Sequence, residues 1–126
     1  MRQPGSNEPA GLLMETAYMP IAASLPPPNA QQEVEWTRAG QMLYAAAGIT
    51  TAHEGATVKA SLETMQRAAA AGAHIIDVVA YPFVYDFDAI LAANPVESWG
   101  KYKNHLKLGG GKITVDGSPQ GRTAFF

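Results

Sequence analysis

The run Ala73-His74-Ile75-Ile76-Asp77-Val78-Val79-Ala80-Tyr81 restricts the fold more than any other part of the chain. It is nearly continuous in apolar residues and lacks the alternation of a half-exposed strand, which suits a parallel strand covered on both faces. Parallel neighbours cannot be joined by a tight turn, so helical crossovers should flank it. The flanking sequence supplies them. Asn29 reads as a helix N-cap with Gln32 placed for a capping box. Trp36, Ala39, Gly40, Leu43 and Ala47 recur at helical spacing, predicting a helix from about Ala30 that buries this face and ends before Gly48. Ile49-Thr50-Thr51-Ala52-His53 predicts a short strand stopped by Glu54-Gly55. Thr57 is the expected cap of a second helix, in which Leu62, Met65 and Ala69 share a face and Gly72 is the stop. After the central run, Asp86 to Ala93 predicts a short helix closed by Asn94-Pro95, Lys107 to Val115 a last strand, and Ser118 to Arg122 a loop.

Alternating strands and helices imply an α/β fold with a parallel sheet and right-handed crossovers. Residues 1–28, rich in Pro and Gly and ended by Pro26-Pro27-Pro28, predict an irregular arm with one apolar turn near Leu12-Leu13-Met14. Residues 29–126 form the domain proper. Three strands leave two open sheet edges through which the chain could self-associate, and the apolar Thr123-Ala124-Phe125-Phe126 should enter a further element, so a truncated domain is expected. An apolar fraction of 47% is enough for a core. The formal charge of -2 comes from scattered groups with no basic stripe, which argues against nucleic acid. With no cysteine, disulfides, thiolate nucleophiles and cysteine-ligated metals are excluded. The apolar runs fall far short of the ~20 residues of a membrane helix. Met1 to Ser6 lacks the apolar segment of a secretory signal, leaving the cytoplasm as the default compartment.

Chemistry concentrates in Gly109-Gly110-Gly111-Lys112-Ile113-Thr114-Val115-Asp116-Gly117. On a strand, Lys112, Thr114 and Asp116 would share one face and Ile113 and Val115 the other. Polar residues facing inward and apolar ones facing helices fit a barrel strand whose C-terminal end lines a site. A lysine buried there would favour its neutral amine, which can act as a nucleophile, form a Schiff base or take up carbon dioxide as a carbamate. The plain alternative is that Lys112 pairs with Asp116 or extends to solvent. The glycines permit close backbone approach beside a ligand.

The segment Gly110 to Ala124 resembles the signature of the amidohydrolase family 3 branch, which includes N-substituted formamide deformylases. Ala47 to Ala56 resembles that family's early Gly-Ile-Thr-Thr strand, and Gly11 to Ala17 the Gly-Val-Leu-x-Glu segment before it, in the same order. The resemblance implies a partial (β/α)₈ TIM barrel of about three βα units, an internal fragment of a longer metal-dependent hydrolase of C-N bonds. It implies that Lys112 is a carboxylated lysine holding zinc or another divalent metal in the full-length parent. It also implies that Asp116 and Arg122 face a small-molecule substrate. The family's paired metal histidines, its later single histidines and its late aspartate have no counterparts, so this chain alone is expected to be inactive and could hold no metal.

Of the three histidines, His53 ends a strand at the rim of Asp116 and is a candidate substrate contact beside Glu54. His74 is expected to be structural and His105 to face solvent. Asp77 must be paired or line the barrel interior. Trp36 and Trp99 are expected to pack. Two other function classes compete with the hydrolase fragment: a stand-alone α/β binding or oligomerisation module using Lys112 and Arg122 for an anion, and a Schiff-base lyase using Lys112.

Overall fold

A computed structural model describes residues 2–125, which fall into two compact units: residues 2–27 with 115–125, and Pro28–Thr114.

In the larger unit the elements are α2 (Ala30–Ala46), β1 (Thr51–Thr57), α3 (Lys59–Ala70), β2 (Asp77–Pro82), α4 (Phe87–Ala93) and β3 (Leu106–Leu108). Helix α1 (Met19–Ser24) belongs to the smaller unit. The strands form one parallel sheet in the order β1-β2-β3. The α/β class and the parallel sheet are as the alternating pattern predicts. The core lies on one face of the sheet, where Val78, Ala80, Leu106 and Leu108 meet Leu62 and Ala69 of α3 and Ile90 of α4, with Met65 and Trp99 packed against them. Asp77, Val79 and Tyr81 point to the opposite face by alternation.

The capping box forms as expected. Gln32 N–H donates to Asn29 Oδ1 at 3.0 Å and Asn29 N–H to Gln32 Oε1 at 2.9 Å. The face that α2 buries is not the expected one. Trp36 and Leu43 remain 59% and 76% exposed, and Gln41 is the helix's one buried residue. Two polar contacts select this orientation. Glu33 pairs with the Arg67 guanidinium of α3, and Gln41 reaches the loop before β2. Trp99 does pack, with its ring edge-on to Phe87.

Helix α3 starts later than predicted, because Thr57 belongs to β1 and is fully buried. The cap comes from far along the chain: Asp86 Oδ2 accepts the Lys59 N–H at 2.7 Å. An anion there also suits the positive end of the helix. Gly72 follows α3 at φ +65°, a left-handed conformation that glycine adopts freely.

Both outer strands differ from expectation at their carboxyl ends. β1 runs through Glu54-Gly55 to Thr57, and β3 stops at Leu108 rather than continuing to Val115. The register explains both. Thr51 to Glu54 pair with Asp77 to Ala80 at an offset of 26, but Thr57 pairs with Pro82 at 25. Val78 to Ala80 pair with Leu106 to Leu108 at an offset of 28, but Phe83 pairs with Lys112 at 29. Each flanking strand therefore carries one residue more than β2 at the same end, a bulge in each ladder. Among the described residues no strand continues beyond Lys112, so the alternation expected from Lys112 to Asp116 does not hold, and Ile113 and Val115 are 69% and 94% exposed.

In the smaller unit the expected irregular arm contains helical structure: a short 3-10 turn over Glu15–Tyr18 leads into α1 (Met19–Ser24), with Pro20 in its first turn where a missing N–H costs nothing. Residues 115–125 form a loop, as predicted for its centre.

Candidate functional site

The amino end of β2 is closed by polar groups that leave nothing unpaired. Gln41 Oε1 accepts the N–H groups of Ile75 and Ile76 at 2.9 and 3.2 Å, and its Nε2 lies 2.7 Å from His74 Nδ1. His74 Nε2 is 3.0 Å from the Met65 carbonyl, which can only accept. His74 is therefore protonated on Nε2 and accepts from Gln41 on Nδ1. Burial pushes its pKa below the ordinary histidine value of 6.5, outweighing the opposing hydrogen bond to Met65. The expectation of a structural His74 is met. At the same end His105 is exposed, as expected, and its Nδ1 sits 2.8 Å from Asp77 Oδ1, which gives Asp77 its partner.

The carboxyl end of the sheet is built differently. The bulge before Lys112 falls in the glycine run. A Cβ on Gly109 would lie 2.5 Å from Val79 Cγ1, and one on Gly110 3.6 Å from the Tyr81 ring. Both therefore face the side of Tyr81. On Gly111 a Cβ would meet Phe87 at 2.9 Å, on the helix side. Two successive residues on one face turn the rest of the strand over. Lys112 rejoins the ladder opposite Phe83, donating to the Pro82 carbonyl at 2.7 Å and accepting from Val84 N–H at 3.0 Å. By parity its side chain belongs to the face of Phe83 and Tyr81.

His53 points to that face too, since it pairs with Val79, and its ring lies 5.3 Å from that of Tyr81. The fold thus brings His53, Tyr81 and Lys112 to one face at the carboxyl ends of parallel strands, the usual location of sites in parallel α/β proteins. Tyr81 escaped the sequence reading as the last residue of an apolar run. Its signal is parity: it stands two residues beyond Val79, the partner of His53. Glu54 is occupied elsewhere, because its carboxylate accepts the Ala56 N–H at 3.0 Å and its carbonyl accepts the Thr57 hydroxyl at 3.1 Å, which ties the β1 bulge.

Asp116 and Arg122 lie in the smaller unit. Asp116 accepts the N–H groups of Gly117 and Phe125 at 2.7 and 2.6 Å, so both of its oxygens brace the loop. A Cβ on Gly117 would fall 2.3 Å from the Thr123 carbonyl, so only glycine allows this closure. Arg122 holds a left-handed backbone at φ +55° and is exposed.

Lys112 is exposed, so the burial that would favour a neutral amine is absent. Among the described residues no three histidines or acidic groups converge as a metal ion would require. A catalytic zinc usually takes about three protein ligands. The residues present do not fit a complete metal centre.

A helix-backed parallel sheet with a glycine-bulged rim defines the chain as an α/β protein of the kind that places its chemistry on strand ends. A family model described as the amidohydrolase family matches residues 1–126, and the chain belongs to that family. No curated protein and no solved structure matches it. Membership in a family of hydrolases does not favour the stand-alone binding module.

Proposed function

We propose that the chain is part of a hydrolase barrel acting on carbon-nitrogen bonds of amide, formamide or cyclic amide substrates, and that it supplies one wall of the site rather than the whole. The observation that carries this reading is the return of Lys112 to the ladder, on the face of His53, after a glycine bulge at the carboxyl rim. In a longer chain Lys112, carboxylated on its amine, is the one ligand this segment would give to zinc or a similar divalent metal. A carbamate is a hard, negatively charged oxygen donor, and the metal would supply an activated water. His53 and Tyr81 line the substrate's approach. The outer edge of β1, which has no ladder partner among the described residues, is where the next strand of a longer chain or of a second copy would pair.

The test compares this chain with a longer product containing it, by metal analysis and by formamide and amide hydrolysis. The expected result is little bound zinc and no turnover for the chain alone, with both restored in the longer product and lost again in its Lys112→Ala variant. Full metal content and activity in Lys112→Ala would remove the assigned role.

A further inference from the structure

A second concavity lies apart from the carboxyl rim, in the larger unit. It is a cleft of about 380 Å³ between α3, the end of α4 and the segment leading into β3. Its walls are apolar, including Leu62, Ala69, Ala93 and Leu108, and Lys101, Lys103 and Lys107 line it with no acidic residue among the lining groups. That volume is within the range of small-ligand sites, which are mainly apolar with a few placed polar groups.

The charge is the informative part. The chain carries a net charge of -2, yet three of its nine basic residues meet at this one cleft. None of the three forms an ion pair among the described residues. The Lys107 ammonium sits 4.4 Å over the Tyr102 ring, so an aromatic face rather than a carboxylate holds it. Helices α3 and α4 both end at the cleft. Each contributes at most about half a negative charge, which falls off within a turn. Lys107 is turned to Tyr102, which is outside the lining, so Lys101 and Lys103 are the charges that keep the cleft cationic. Gln66 Nε2 donates to Asn94 Oδ1 at 3.0 Å, bridging α3 to the end of α4 and fixing the spacing of two walls.

We propose that this cleft binds a small amphipathic carboxylate, its apolar tail against Leu62, Ala69 and Leu108 and its head between Lys101 and Lys103. A neutral apolar molecule would leave the lysines unpaired, and a small inorganic anion would leave the walls wet.

Octanoate is the probe, titrated into the chain by calorimetry and followed by amide NMR, with octanol as the uncharged comparison. Octanoate is expected to saturate one site and to shift the amides of Leu62, Ala69 and Leu106. Octanol should bind about tenfold more weakly, as should octanoate to a Lys101→Glu/Lys103→Glu variant that keeps the native melting temperature. A Lys101→Gln/Lys103→Gln variant gives the same comparison if charge reversal disturbs folding. Ala70→Leu, which narrows the cleft, should weaken both ligands. The proposal is overturned by octanol binding as tightly as octanoate, by lysine variants that bind as the native chain does, by shifts confined to the carboxyl rim, or by no saturation at all.

Discussion

The two ends of β2 solve opposite problems. At its amino end, Gln41 and His74 close a buried corner in which each polar atom has a partner. At its carboxyl end both neighbouring strands bulge, β3 through its glycine run, and His53 and Lys112 are left exposed. The first end holds the layers together, and the second presents side chains. A fold that carries chemistry needs both, and here one six-residue strand separates them.

The sharpest way to break the closed end is Gln41→Ala. It strips acceptors from the N–H groups of Ile75 and Ile76 and the donor from His74, and should cost about 2–4 kcal/mol in urea unfolding. A loss under about 1 kcal/mol would show that water replaces the amide. At the open end, Gly109→Ala forces a Cβ to 2.5 Å from Val79 and should cost about 1–3 kcal/mol. Gly110→Ala, whose nearest neighbour would be at 3.6 Å, should cost far less. Equal losses in the two variants would remove the bulge from its assigned place.

A milder perturbation of the closed end is acid. Because the folded pKa of His74 lies below 6.5, the unfolded chain binds the proton more readily. The contribution of this residue is thus complete above pH 6.5 and is lost as the pH falls below it toward the depressed folded value. Protonation removes only the bond from Gln41 to Nδ1, so the effect should be smaller than that of Gln41→Ala. Urea midpoints at pH 7.5 and 5.5 would measure it, and the His74→Gln variant should lose this part of the pH dependence. The smallest effect is expected for His105→Ala. Its pair with Asp77 is exposed, and such pairs contribute less than about 1 kcal/mol.

Local signals in the sequence were the ones that could be read. Asn29 with Gln32, Gly72 after α3 and Asn94-Pro95 after α4 each act within a few residues; the first starts its helix and the other two end theirs where expected. Signals acting at long range were not legible. Asp86 caps a helix that begins 27 residues before it, and Gln41 serves groups 33 to 35 residues away. The helical spacing of Trp36 and Leu43 is real, but polar contacts by Glu33 and Gln41 decide which side of α2 turns inward. In the site, Lys112 and His53 could be singled out from the sequence. Parity applied through an unseen bulge extended the strand too far and took Asp116 for its neighbour on the same face. Tyr81 needed the register of β1 against β2 before it could be seen.

The glycine run also makes residue count a variable of its own. Removing one glycine between Leu108 and Lys112 would restore the simple register and leave Lys112 opposite Phe83, on the face it already occupies, whereas the full-length run without its bulge would turn Lys112 toward the helices. Substitutions in this run act through size, whereas the bulge absorbs the extra residue and keeps the facing of Lys112. A library that swaps residues should rate Gly110 tolerant, and one that shortens the run by one glycine should still find Lys112 opposite Phe83.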